Sequence, residues 1–298
     1  MTAIPEITFR EPPSSLPYVE VLTLREFYHR LPSVQHHDPF SPHRVSFFLI
    51  LAITSGRGQH YIDFQPHAYQ PGSLLFIAKH QVQAFERKPD SQGHIILFTE
   101  AFLANHTVIS KHLPDLGLYN YHLGSPVIYV EDEATRHLLG LTTQIYDEYQ
   151  GTDDFAKSEI LRTLLHLLLL RAERVKHRSA VQQARPEWLS LFNQFRTLLE
   201  HNYANTRNAR DYAQQIGISY KHLNDVCKAV VAKTAKQFID HVVATEVKRY
   251  LASTTLSVKE LSYAVGFDEP TNLVQFFKRQ TRQTPGQFRR GLKEVPGL

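Results

Sequence analysis

Histidines are the side chains best suited to metal chemistry in this sequence, and they are frequent in its first third. His29, His36, His37 and His43 lie in a loop-like stretch, and His60 follows in a strand-like one. Imidazole holds zinc or iron only together with further ligands. The sequence has no Ser-His-Asp order, no Gly-rich phosphate loop and no H-E-x-x-H pattern. It therefore predicts a protein that is not an enzyme and holds no metal or other cofactor.

A different chemistry is indicated at residues 257–290, which read SVKELSYAVGFDEPTNLVQFFKRQTRQTPGQFRR. Ser257 and Glu260 form a capping box that starts a short helix. Gly266 is placed to end it in the left-handed conformation. Asp268 and Pro270 then predict a second helix, begun by a cap and a first-turn proline. Its apolar face is Leu273, Phe276 and Phe277. Two short helices joined at a glycine turn predict a helix-turn-helix, whose second helix fits the DNA major groove.

The same pattern occurs about fifty residues earlier, as ARDYAQQIGISYKHLNDVCKAVVAKTAKQF. Gly217 corresponds to Gly266, and Thr234 corresponds to Thr284. A small helical bundle without any nucleic-acid role is the alternative for one such unit. Two tandem units, at about 207–230 and 257–281, favour DNA binding instead, with the joining helix setting their separation.

Residues 188–292 resemble the DNA-binding domain of AraC/XylS-type transcriptional regulators, most specifically in GFDEPTNLVQFFKRQTRQTPGQFR. The chain departs from the family where Ala232 and Arg282 replace frequent glycines, and where Cys227, Asp225 and Gln275 replace other residues. The resemblance implies a fold that tolerates these changes, whereas the base preference of relatives cannot be transferred.

The resemblance also implies which side chains read DNA. The implied base contacts are Lys221, Asn224, Asp225, Thr271, Asn272 and Gln275. Lysine can donate to guanine, asparagine or glutamine can pair with adenine, and aspartate can accept from cytosine. Basic side chains and helix N-termini suit phosphates. The expected phosphate contacts are Ser219, Lys228, Lys278 and Arg279, although each lysine could equally be a solvated surface charge.

Length and charge agree with a two-domain DNA-binding protein. The 298 residues are enough for two domains, and one cysteine forms no disulfide within the chain. From residue 186 onward there are 16 Lys and Arg against 10 Asp and Glu, whereas the first 185 residues hold 17 against 19. The C-terminal part is therefore the basic one, as phosphate binding requires. The longest apolar runs are too short to span a membrane, and no signal segment is evident, so a cytoplasmic location is expected.

The N-terminal half predicts an antiparallel β-structure. Residues 1–17 lack periodicity and suggest an arm, whereas 45–98 contain short β-prone runs separated by turns. The piece QPGSLLFIAKHQVQAF resembles the cupin-like sensor half of the same regulators. The expected fold is thus α+β: a cupin-like antiparallel barrel with C-terminal helices, then an all-α double helix-turn-helix domain. Expected limits are 1–180 for the effector-binding and dimerisation domain, 181–186 for a linker and 187–298 for the DNA-binding domain.

A barrel mouth is a natural place for a small molecule. Where relatives commonly carry a histidine, this chain has Gln83, a poor ligand for zinc or iron, so a metal-free pocket is expected. The candidate pocket residues are His43, Arg44, Phe48, His60, Tyr61, Phe76, Gln83 and Phe85. For each aromatic residue alone, an ordinary core position is the simpler interpretation.

Residues 153–176 predict a helix with two apolar faces, including Ile160, Leu164, Leu167 and Leu168. One face would cover the barrel, and the other would contact the same helix of a second copy in a homodimer. Burial of both faces within one chain is the alternative.

Together these features predict a sequence-specific transcriptional regulator that binds double-stranded DNA under the control of a small-molecule effector. A first alternative is a ligand-independent DNA-binding regulator whose barrel is only a dimerisation scaffold. A more distant alternative is a cupin-type metalloenzyme with an appended helical domain.

Overall fold

The structure is a computed structural model that describes residues 6–7, 18–30, 38–87, 90–103, 116–120, 124–129, 133–153, 155–179 and 185–292. The chain divides mainly into two compact units, Pro5–Val181 and Gln182–Pro296. The expected two-domain α+β architecture is confirmed. Most of the N-terminal arm and most of the expected linker lie outside the described residues, but Glu6–Ile7 of the arm are described and form a strand. The exact domain limits stay a prediction.

The first unit, here called the sensor unit, contains ten strands and four helices among its described residues. The strands are β1 (Glu6–Ile7), β2 (Val19–Thr23), β3 (His43–Val45), β4 (Phe48–Ser55), β5 (Gly58–Ile62), β6 (Gln65–Tyr69), β7 (Ser73–Ile77), β8 (Val82–Phe85), β9 (Gln92–Phe98) and β10 (Val127–Tyr129). The helices are α1 (Leu24–Arg30), α2 (Glu100–Leu103), α3 (Glu133–Gln150) and α4 (Lys157–Ser179).

These strands form two five-stranded sheets, ordered β1-β3-β8-β5-β6 and β10-β7-β4-β9-β2. Neighbouring strands are antiparallel except for β1, which runs parallel to β3. In the described part of the chain the two sheets do not close into one hydrogen-bonded barrel. The predicted barrel is therefore better described as two facing sheets with a shared apolar interior.

Strand β4 is apolar and buried from Phe48 to Ile53. Leu49, Leu51 and Ile53 pack between the two sheets, whereas Phe48 and Ile50 pack on the opposite face of the same strand. That opposite face is covered by α3 and α4, whose Leu138, Leu161 and Leu165 belong to the same cluster as Phe48. A strand buried on both faces loses the polar alternation of a half-exposed one.

The second unit, here called the DNA-binding unit, contains only helices over its described residues 185–292. They are α5 (Pro186–Asn202), α6 (Ala209–Ile216), α7 (Tyr220–Val231), α8 (Ala235–Ser253), α9 (Val258–Ala264), α10 (Pro270–Thr281) and α11 (Pro285–Gly291). Helices α6 and α7 form one helix-turn-helix, and α9 and α10 form the other. Helix α8 joins them, and its Phe238 packs against Phe192 and Phe195 of α5, with ring centroids 4.9 and 5.7 Å apart. No described helix has the length and apolar content required to cross a membrane.

A direct backbone contact joins the two helix-turn-helix units. At Gly266, φ is +77°, and a Cβ there would lie 1.8 Å from the carbonyl oxygen of Ala204, just before the first unit. Arg207 strengthens the same contact: its Nη2 donates to the Gly266 carbonyl at 3.0 Å, and its guanidinium lies 3.6 Å from the centroid of the Phe267 ring. The spacing of the units is thus fixed by this contact as well as by α8.

Replacing Gly266 with asparagine should destabilise the DNA-binding unit far more than the same change at Gly217. Both glycines are left-handed, which asparagine tolerates. A Cβ at Gly217 meets nothing within 4 Å, whereas one at Gly266 collides with Ala204. We expect Gly266→Asn to cost about 1–3 kcal/mol more than Gly217→Asn, as overpacked positions do. Urea unfolding followed by the fluorescence of Trp188, the single tryptophan, reports on this unit. Equal destabilisation by the two variants would contradict the contact.

Candidate nucleic-acid interface and effector cavity

Helix α7 is the first candidate reading helix. Its N-cap is Ser219, whose hydroxyl oxygen accepts from the backbone N–H of His222 at 3.1 Å. Leu223 and Val226 are buried, whereas Lys221 is exposed. The Ser219 hydroxyl hydrogen remains able to donate to a phosphate oxygen. The exposed Lys228 lies in the last turn of the same helix.

Asn224 has a structural role that the sequence did not indicate. Its side-chain oxygen accepts from the backbone N–H of Ala235 at 2.9 Å, which ties α7 to the first turn of α8. A pair of hydrogen bonds to adenine needs both the oxygen and the amide nitrogen of an asparagine. The oxygen already accepts one bond, so Asn224 serves as an interhelical tie, and the base contact expected at Asn224 stays a prediction. Asp225 is half-buried beside it.

Helix α10 is the second candidate reading helix. It begins at Pro270 after Glu269, which occupies the N-cap position in place of the predicted Asp268 and makes no side-chain cap bond. Leu273, Phe276 and Phe277 are buried as predicted. The expected reading residues Thr271, Asn272 and Gln275, and the expected phosphate contacts Lys278 and Arg279, are all exposed.

The repeat is also seen in the helix ends. Thr234 with Gln237 and Thr284 with Gln287 form complete capping boxes at corresponding places. Helices α7 and α10 end at Ala232 and Arg282, with φ of +53° and +63°. The family commonly has glycine at these two positions, and both keep the left-handed conformation here at the steric cost of a Cβ.

The sensor unit contains an apolar cavity of about 210 Å³ that is partly open to solvent. Of the eight candidate pocket residues, His43, Gln83 and Phe85 line it. The remaining lining residues are Ile7, Glu20, Leu22, Phe27, Arg30, Pro39, Phe47, Leu49, Ile95 and Leu97. Arg30 and Glu20 form an ion pair at 2.6 Å, with Arg30 the more exposed partner.

A buried polar pair stands beside this cavity. His60 donates from Nε2 to the Gln83 side-chain oxygen at 2.9 Å, and both residues are almost completely buried. Burial lowers the pKa of His60 to about 3, with the Gln83 hydrogen bond opposing the shift, so the ring is neutral. Gln83 also lines the cavity. Its N–H groups are therefore donors that a molecule in the cavity could use.

Four of the expected pocket residues are placed elsewhere. Phe48 and Phe76 pack under the helices, each near Tyr119, with ring centroids 4.8 and 5.7 Å from it. Tyr61 lies opposite Ala84, on the other face of the sheet from Gln83 and Phe85. Arg44 lies opposite Val82 on that same other face, and its Nε donates to the His80 carbonyl at 2.9 Å. Neighbouring residues of a strand point to opposite faces of the sheet, so a difference of one position places a side chain on the other face.

Helix α1 supplies a cavity residue that the sequence analysis missed. Phe27 lies with its ring centroid 4.6 Å from that of Phe85. The helix follows β2 directly in the chain. Thr23 and Glu26 form an S/T-x-x-E capping box, with bonds of 2.6 and 3.1 Å, and this local signal predicts the helix start.

Neither thiol nor metal chemistry is evident in the part of the chain described by the structure. The described residues contain no group of three or more His, Cys, Asp or Glu placed to hold a metal ion. Cys227 is buried in the DNA-binding unit, and burial raises the pKa of its thiol to about 12.

Comparison with known proteins identifies both units. Residues 31–165 match the family model of the AraC-like ligand binding domain, and residues 212–291 match that of a helix-turn-helix domain. The HTH-type transcriptional activator RhaS of Escherichia coli O81 (strain ED1a) is 24% identical over 259 residues, covering 85% of this chain and 88% of that protein. RhaS of Klebsiella pneumoniae (strain 342) is 24% identical over 256 residues with the same coverage.

Among solved structures, unsaturated fatty acid bound ToxT from Vibrio cholerae strain SCE256 aligns with 10% identity and a TM-score of 0.43, covering 86% of this chain and 91% of that one. The two domain matches, in the order that the fold shows, and the full-length likeness to RhaS lead to one assignment. The chain belongs to the AraC/XylS family of DNA-binding transcriptional regulators, with an AraC-like ligand-binding domain preceding its helix-turn-helix domain.

Proposed function

We propose that α7 and α10 read two successive major-groove segments of one operator, and that a small molecule in the sensor cavity controls this binding. The main support is the fixed arrangement of two reading helices in one unit, each with exposed polar side chains. Lys221, Thr271, Asn272 and Gln275 would contact bases, with Asp225 beside them, and Ser219, Lys228, Lys278 and Arg279 would contact phosphates. Such a regulator would act where the DNA is, which we take to be the cytoplasm.

The cavity supports an effector that is compact and mostly apolar. Its volume of about 210 Å³ lies below the usual size of drug-binding pockets. An engineered apolar cavity of about 150 Å³ holds benzene, so a single ring with one small substituent is the appropriate size. The Gln83 N–H groups would donate to a carbonyl or hydroxyl oxygen on that molecule. A sugar, with many hydroxyl groups, would leave most of them without partners among the apolar side chains.

A wider groove of about 620 Å³ lies elsewhere on the sensor unit, lined by residues that include Arg25, His29, Asp90 and His94. We assign the effector to the smaller cavity because its lining is mainly apolar side chains of the interior, which exclude water from a bound molecule.

Helix α4 supports the proposal of a homodimer. Leu161, Leu165, Leu168 and Leu169 are buried within one chain, which accounts for one apolar face. Ile160 and Leu170 stay 41% and 46% exposed, and Leu164 and Leu167 between them are half-buried. We propose that this second face packs on its copy in another chain about a twofold axis.

Lys221→Ala and Lys278→Ala should alter DNA binding in different ways. A random-sequence duplex library selected on the wild-type protein provides the target. Lys221→Ala should relax preference at one base position, losing about 1–3 kcal/mol of discrimination, whereas Lys278→Ala should weaken binding to all sequences and lower the salt slope by about 1. Fluorescence anisotropy on selected and scrambled duplexes measures both effects. Identical effects of the two variants would contradict the division into base and phosphate contacts.

Gln83→Leu should abolish discrimination between ligands that differ only in one acceptor. Benzaldehyde and toluene are similar in size, and only benzaldehyde has a carbonyl oxygen. We expect wild-type protein to be stabilised more by benzaldehyde, and Gln83→Leu to respond equally to both, because a buried donor selects strongly for its acceptor. Thermal unfolding with each compound is the measurement. Gln144→Leu, the same change at an exposed site on α3, is the matched control. No response to any compound of this class would favour the ligand-independent regulator.

Ile160→Lys combined with Leu170→Lys should convert a dimer into a monomer. Two like charges on each copy would face each other across the twofold axis without water around them. Analytical ultracentrifugation of the full chain measures the oligomeric state. Gln92→Lys, at an exposed position of β9, adds charge to the same unit and should leave the dimer intact. A double variant that is still dimeric would place the interface elsewhere.

A further inference from the structure

A polar cleft lies within the DNA-binding unit, between α8 and α10. Its lining residues are Arg207, Lys236, Asp240, Phe267, Asn272, Gln275, Phe276 and Arg279. We call it the interhelical cleft. Its three cations come from three different elements: Arg207 from the segment between α5 and α6, Lys236 from α8 and Arg279 from α10. Because these three cations are far apart in the sequence, no single helix could bring them together.

Asp240 lies among these cations and is only 8% exposed. Lys236 Nζ lies 2.5 Å from its Oδ1, and Arg279 Nη2 lies 4.0 Å from its Oδ2. Asp240 also acts electrostatically on Arg207, together with Asp268. The lining contains three cations and one carboxylate, and even with Asp268 counted beside Arg207 the positive charges outnumber the negative ones.

The cations remain able to bind something else. The side chains of Lys236 and Arg279 are 52% and 67% exposed, whereas that of Asp240 is 12% exposed. A lysine has three N–H donors and an arginine has five. Each can therefore hold Asp240 with one donor and offer others to an anion approaching from solvent, which meets the cations before the carboxylate.

The cleft opens towards the surface that would read DNA. Asn272 and Gln275, two of the proposed base-contacting residues of α10, form part of its lining. When two reading helices enter successive major grooves on one side of a duplex, the sugar-phosphate backbone between those grooves passes below the region that joins them. The interhelical cleft is lined by residues of α8, the helix that joins the two units, and of the reading helix α10.

We propose that the interhelical cleft binds a backbone phosphate of the DNA between the two reading helices, through Lys236, Arg279 and Arg207. Asp240 is a positioning residue that holds the cations in place before DNA arrives. This reduces the side-chain entropy that a free lysine or arginine would lose on binding. The proposal rests on the proposed DNA-binding function, and it adds Arg207, Lys236 and Asp240 to the residues that serve it.

The test uses the full-length protein and a non-specific duplex, because phosphate contacts are independent of sequence. Affinity is measured by fluorescence anisotropy between 50 and 200 mM salt. Lys236→Met should lower the slope of log affinity against log salt by about 0.9, the value for one phosphate contact. Lys79→Met removes the same charge in the sensor unit, where Lys79 pairs with Glu100 at 2.8 Å, and should leave the slope unchanged.

The variant Asp240→Asn distinguishes two roles of Asp240, holding the cations in position or only repelling DNA through its charge. If Asp240 positions the cations, its replacement should weaken binding roughly three- to tenfold, within the range of coupling between neighbouring residues, and should lower the slope. The loss should disappear in the background of Lys236→Met with Arg279→Met. A purely structural effect of Asp240→Asn would weaken binding without changing the slope, and that result would overturn the positioning role.

Tighter binding by Asp240→Asn would also overturn it, because the carboxylate would then only repel DNA. If Lys236→Met leaves the salt slope unchanged, the proposed phosphate site is contradicted. Lys236 is exposed, so this variant should still fold. Stabilisation by inorganic phosphate that Lys236→Met abolishes, without any change in the DNA slope, would reassign the cleft to free anions. Wild-type protein that binds no duplex at all would instead contradict the proposed function.

Discussion

The contact of the Gly266 backbone with the Ala204 carbonyl is the constraint on which the DNA-binding unit depends. Two reading helices can serve one operator only if their separation matches the repeat of the duplex, about 34 Å along the axis. A single joining helix such as α8 fixes a distance, but it leaves rotation about its own axis to be determined by packing. The Gly266 contact, the Arg207 stack on Phe267 and the Asn224 bond to α8 remove that freedom. The unit therefore presents one geometry to DNA.

Local signals predicted most of this unit from the sequence. The capping boxes at Thr234, Ser257 and Thr284 involve residues three apart, and all three form. The ties between the units involve residues about sixty apart, such as Arg207 and Gly266. Their partners are determined by the folded arrangement, and a single sequence contains no periodic signal for them. Gly266 was recognised as a helix stop, whereas its close approach to Ala204 could not be.

The sensor cavity shows a second limit of sequence reasoning. Residue type identified His43, Gln83 and Phe85, all of which line the cavity, but it also suggested Phe48 and Phe76, which pack under the helices. Strand β4 is buried on both faces, so alternation of apolar and polar residues cannot indicate which face is inside. The sequence indicated that His60 and Gln83 are polar residues of the pocket, but it did not indicate that they bond to each other. Gln83 in place of a histidine argued against a metal, and the structure pairs it with a neutral His60.

The rigidity of the DNA-binding unit restricts how an effector could control it. A ligand shifts an equilibrium only by its differential affinity for two states, and a hundredfold difference amounts to about 2.7 kcal/mol. Separating the two helix-turn-helix units would break the Gly266 contact, the Arg207 cation–π contact and hydrogen bond, and the packing around α8 together. The combined cost would exceed what one compact ligand supplies in a cavity of about 210 Å³. Control must then act on the unit as a whole, through its availability to DNA or through the pairing of two chains, and the distance between α7 and α10 stays the same in both states.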